Sequence, residues 1–91
     1  MMSKAFPLVM AAIGEQVYLE SIKGGKKMLR RLTALGLTPG VELNVVHYTG
    51  GVLLLSVRGS RIALGRGMAR KMMVSLTGNN GNQTNIEGEE K

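Results

Sequence analysis

From Lys23 to Val74 no apolar run is long, and each change of direction carries a glycine or a Pro-Gly pair: Gly24-Gly25, Gly36, Pro39-Gly40, Gly50-Gly51, Gly59 and Gly65. That punctuation leaves room for one short helix set among short strands, and none for a helical bundle. Glu15–Ile22 alternates in part through Val17 and Leu19, which suits a strand. Lys26–Leu35 is helical, with Met28, Leu29, Leu32 and Leu35 on one face and Lys27, Arg30, Arg31 and Ala34 on the other. Gly36 stands where a left-handed residue closes a helix, and Pro39-Gly40 fits a type II turn.

Strand spacing governs the second half of the chain. Val41, Leu43 and Val45 share one face, and His47 continues their inward register at the strand end. Gly50-Gly51 turns the chain; Leu53, Leu55 and Val57 then point in, with Ser56 and Arg58 out. Gly59-Ser60 is a second tight turn, Arg61–Leu64 a short strand, Gly65–Arg70 a helical turn, and Lys71–Leu76 a closing strand with Met72, Val74 and Leu76 on one side. Pro7–Ile13 forms a turn or short helix over one end of the core, and residues 1–6 are a flexible start. Five short strands close best as a small barrel, which removes exposed sheet edges. The fold class expected is therefore mainly β, with the helix inserted after the first strand. Thr77–Lys91 lacks apolar periodicity and reads as a disordered polar tail.

The chain has 91 residues, which allows one domain with one modest core. Its aromatics are Phe6, Tyr18 and Tyr48, so that core is built from aliphatic side chains and methionine. Residues 1–76 carry a net charge of +8 and residues 77–91 one of −2. A basic domain calls for an anionic partner: nucleic acid, a lipid surface or an acidic protein face. The absence of cysteine excludes disulfides and thiolate metal sites. The apolar stretch Ala5–Ile13 is too short to span a bilayer and makes a weak signal peptide, so a cytoplasmic protein is expected.

Chemistry has little to work with. The carboxylates of the folded part are Glu15, Glu20 and Glu42, His47 is the sole histidine, and no hydroxyl has a base nearby in sequence. A general acid/base pair needs two titratable groups brought together, so an enzyme is not expected. His47 is a weak candidate metal ligand, to be completed by glutamates or a second chain, and Fe²⁺ would be held only as a weak or shared ligand. The run Gly24-Gly25-Lys26-Lys27 opens the helix without a Walker pattern, so its glycines serve to turn the chain. Lys27, Arg30, Arg31, Arg58, Arg61, Arg66 and Arg70 are the candidate partner contacts. Nucleic acid is the weaker choice of partner, because single-strand binders on small barrels add stacking aromatics that are scarce here. Val52 and Leu54 lie opposite the inward face, either beneath the helix or as an exposed patch.

Two stretches resemble the FeoA family, the small cytosolic component of bacterial and archaeal ferrous iron transport. The first is Gly24-Gly25 through Arg31-Leu32 to Leu35-Gly36-Leu37-Thr38-Pro39-Gly40. The second is Val57-Arg58-Gly59, then Ile62-Ala63-Leu64-Gly65-Arg66, Ala69 and Met72-Met73-Val74. The resemblance covers about residues 7–76 and implies an SH3-like barrel over that span. It also implies a non-enzymatic accessory role beside FeoB, the membrane GTPase that carries Fe²⁺ inward, and brings family-level transition-metal binding without a visible ligand set. A similar domain ends the iron-dependent repressors, so the alternative is a nucleic-acid-linked regulatory domain.

Overall fold

The computed structural model describes residues 4–76. In them the glycine punctuation becomes six strands rather than five: β1 (Phe6–Pro7), β2 (Gln16–Ile22), β3 (Glu42–Thr49), β4 (Val52–Val57), β5 (Ser60–Gly65) and β6 (Met72–Ser75). A 3-10 turn, Leu8–Met10, follows β1, helix α1 (Lys26–Ala34) follows β2, and the helical turn α2 (Arg66–Ala69) joins β5 to β6. The added strand is β1, where Phe6 pairs with Val74 and Pro7 with Met73. The ordered fold thus begins inside the segment expected to be flexible. The expected tail, residues 77–91, lies outside the described residues.

The strands form one antiparallel sheet in the order β1-β6-β2-β3-β4-β5, an SH3-like arrangement around one core. Leu8, Val17, Leu19, Leu32, Leu37, Leu43, Val45, Leu53, Leu55, Met72 and Val74 are all buried. Alternation is the cause: Val17 and Leu19 in β2, and Leu53, Leu55 and Val57 in β4, are apolar and face in. Closure does not abolish the edges as expected. Among the described residues β1 and β5 each have a strand on one side only.

Three local readings shift. The second hairpin turn is Arg58-Gly59 rather than Gly59-Ser60, because Val57 pairs with Ser60. Leu76 stands outside β6 and is 54% exposed. In α1 only Leu32 is buried and Met28 is half-buried, while Leu29 and Leu35 are 38% and 46% exposed. The inward stripe of so short a helix is one residue wide at each turn.

The third strand carries the largest change. A bulge interrupts the β3–β4 register: Val45 pairs with Leu55, but His47 pairs with Leu54. Val46 is the extra residue, and one inserted residue reverses the facing of all the residues after it. His47 is therefore exposed on the outer face rather than inward, and Tyr48 turns in instead. The exchange suits the chemistry. The Tyr48 hydroxyl donates to the carbonyls of Ala11 (2.5 Å) and Val9 (3.1 Å), tying the 3-10 turn over the core. An imidazole in that register would have to be desolvated.

Candidate docking surface

Helix α1 begins at Gly25, whose extended backbone (φ −78°, ψ 176°) supplies no side-chain cap. It ends in a paired closure: Gly36 N–H donates to the Thr33 carbonyl and Leu37 N–H to the Leu32 carbonyl, both at 2.9 Å. Gly36 sits at φ +88°, the left-handed conformation that this closure requires. Leu32 and Leu37 are both fully buried, which anchors the helix end to the barrel. Val41 N–H then donates to the Thr38 carbonyl at 3.0 Å across Pro39-Gly40, with Gly40 at φ +93°, as a type II turn demands.

This anchoring sets α1 beside α2. Between them runs an open groove of about 330 Å³ lined by Lys27, Met28, Arg31, Gly67, Met68 and Lys71. Met28 and Met68 are half-buried and pack against the core, forming an apolar floor. The exposed cations Lys27, Arg31 and Lys71 rim it. Methionine suits such a floor because its unbranched, polarizable chain adapts to what lies on it.

The other predicted contacts are not brought together. Arg30 lies on the far flank of α1, beside Lys26, Leu29, Thr33 and Ala34. Arg58 lies at the β4–β5 turn near Gln16, Glu42, Asn44 and Ser56. Arg61 is exposed on the edge strand β5, and Arg70 is exposed after α2. Arg66 is half-buried, its guanidinium 5.8 Å from the centre of the Tyr48 ring. That contact fixes Arg66 as part of the fold and covers one of the few aromatics available for stacking. Of the seven predicted contacts, Lys27 and Arg31 line the groove. The sequence pattern gives no sign of Met28 and Met68 as its floor. Periodicity assigns Met28 to the core, and the two methionines meet only when α1 and α2 are set side by side.

Two of the three carboxylates among the described residues accept hydrogen bonds within the fold. Glu15 Oε1 accepts from the Ala12 N–H at 3.0 Å, and Glu20 Oε2 accepts from the Ser75 hydroxyl at 2.5 Å. Among the described residues no three of histidine, aspartate and glutamate cluster as metal ligands, and His47 stands apart. Nor is any described helix long and apolar enough to cross a membrane.

A model of the FeoA domain matches residues 6–76. The chain belongs to the FeoA family. A Methanocaldococcus jannaschii protein named for Fe(2+) transport, as transport protein A, is 39% identical over 69 residues, which span 76% of this chain and 84% of that one. The crystal structure of an iron uptake regulatory protein, FeoA, superposes with a TM-score of 0.72 at 34% identity, covering 78% of this chain and 95% of the other. A manganese-dependent transcriptional repressor reaches a TM-score of 0.75 at 19% identity over 82% of this chain and 43% of its own length, a likeness of fold alone. As a FeoA-family protein the chain is a non-enzymatic accessory of ferrous iron transport.

Proposed function

We propose that this FeoA domain works in the cytoplasm, docking on the cytosolic part of a FeoB-type membrane GTPase transporter and altering its nucleotide cycle or its assembly. The observation that carries the reading is the α1–α2 groove, with its methionine floor and its rim of Lys27, Arg31 and Lys71. Among the described residues none of these cations has a carboxylate partner. Such a rim steers an acidic protein surface toward an apolar seat. Fe²⁺ is the transporter's cargo in this scheme, and the domain needs no resident metal.

The test pairs a binding isotherm against the cognate transporter's cytosolic domain with its GTP hydrolysis rate. Binding with a changed rate supports a regulator, and binding at an unchanged rate supports an assembly role. Arg31→Glu is expected to weaken binding by about tenfold or more, and Arg30→Glu, on the other flank, by less. Absence of binding at low salt overturns the proposal. The repressor-like fold keeps a DNA-linked role as the competing reading. Its mark would be DNA affinity that falls steeply with salt, and the scatter of the arginines over separate faces favours it less.

A further inference from the structure

The strand β5 has an unpaired side. It follows β4 through the two-residue turn Arg58-Gly59, with both residues at positive φ (+51° and +82°). Such a turn places Ser60 N–H on the Val57 carbonyl, so hydrogen-bonded pairs then recur at every second residue: Val57 with Ser60, Leu55 with Ile62, Leu53 with Leu64. The phase is corroborated one step on, where Arg66 N–H donates to the Gly51 carbonyl at 2.7 Å. The N–H and C=O groups of Arg61, Ala63 and Gly65 consequently point away from β4. Among the described residues no strand lies there.

The edge is also lightly protected, with Arg61 as its charged guard. Proteins usually blunt a free edge with a bulge, a proline or a covering element. The β4–β5 register runs through all six pairs without interruption, and β5 contains no proline. The side chains leaning over the free edge are small apart from Arg61, and Arg61, Ala63 and Gly65 are all exposed. Beside them on the outer face, Leu54 is half-buried and Val52 is 39% exposed, uncovered by α1. Leu54 pairs with Ala63, so an apolar stripe runs up to the edge.

We propose that β5 is a β-augmentation site, and that its occupant is an acidic, extended segment of a protein partner whose apolar residues alternate with carboxylates. Backbone pairing to Arg61, Ala63 and Gly65 supplies affinity in this mode, and side chains supply selectivity. Arg58 and Arg61, without carboxylate partners among the described residues, set the sign of the charge. A second copy of this chain is the poorer occupant, since self-pairing brings two strongly basic domains together. The inference rests on the docking reading insofar as the partner is the transporter, and it adds a separate surface and binding mode.

The test is residue-resolved amide hydrogen exchange on the full chain with two probes. These are the transporter's cytosolic domain and a capped synthetic peptide of alternating glutamate and valine, with an alternating lysine and valine peptide as control. Alone, the amides of Arg61, Ala63 and Gly65 should exchange fast while those of Ile62 and Leu64 are protected. With the transporter domain, the three edge amides should slow by at least about tenfold. Ala63→Pro, which deletes one outward N–H, should weaken binding by about tenfold, the equivalent of one hydrogen bond, and Arg61→Glu, which leaves the backbone intact and reverses the charge, should weaken it by about as much. If the transporter domain binds while the edge amides stay fast and Arg61→Glu binds like the wild type, the edge proposal is overturned and the docking reading survives. If the transporter domain does not bind, the docking reading fails and the peptides decide. Slowing by the acidic peptide alone upholds the edge site; slowing by neither, or by both equally, overturns it.

Discussion

Gly36 shows how one residue closes an element. At φ +88° it bears no steric load, since nothing lies within 4 Å of the Cβ that an alanine would add. The cost of Gly36→Val is thus conformational, about 1–2 kcal/mol for the left-handed backbone and more for a β-branched side chain. A drop of that size in denaturant stability is expected, and an unchanged midpoint would contradict the assigned helix end. Tyr48 makes the opposite case, where the side chain matters. Removing its hydroxyl leaves the Val9 and Ala11 carbonyls without that donor, so Tyr48→Phe is expected to cost about 1–2 kcal/mol and to speed amide exchange in residues 8–11. The positions of glycines and prolines are legible in the chain because their backbone preferences are local. The inward turn of Tyr48 and the outward turn of His47 are not, because a one-residue bulge leaves alternating Val, His and Tyr unchanged as a string and alters only its phase.

At the scale of elements, the β4–β5 hairpin carries a built-in weakness. Its turn holds Arg58 at φ +51°, the one non-glycine residue at positive φ among those described. Asparagine is far better suited to that place in a turn with two positive φ values. Arg58→Asn should therefore raise stability by roughly 1 kcal/mol, read as a higher unfolding midpoint with the slope unchanged. A fall in the midpoint would mean that the arginine side chain contributes something the turn geometry does not reveal. Helix α1, the type II turn and strands β2 to β4 can be read from periodicity. Strand β1 cannot, since two residues, Phe6 and Pro7, hold no period and pair only because β6 lies beside them. The groove is hidden for the same reason: Met28 and Met68 are forty residues apart in the chain, and only the packed fold makes them neighbours.

Across the whole molecule, charge is spread rather than focused. The cations of α1, of the β4–β5 turn and of β5 look in different directions, so partner capture should draw on separate local patches. Association with an acidic partner is expected to slow by about tenfold or more as salt rises, while dissociation changes little. Stopped-flow measurement at two ionic strengths checks this, and a salt-insensitive association rate would assign binding to the methionine floor alone. The pairing of Phe6 with Val74 has a consequence for the way the domain is joined to anything else. Its first and last strands are neighbours, so its two ends leave the barrel at one place, like the two leads of a plug. A unit wired in this way can be appended to another polypeptide, or spliced into a loop of one, without parting its own sheet. It is portable by construction, in keeping with the recurrence of the same fold within the longer chain of a manganese-dependent transcriptional repressor.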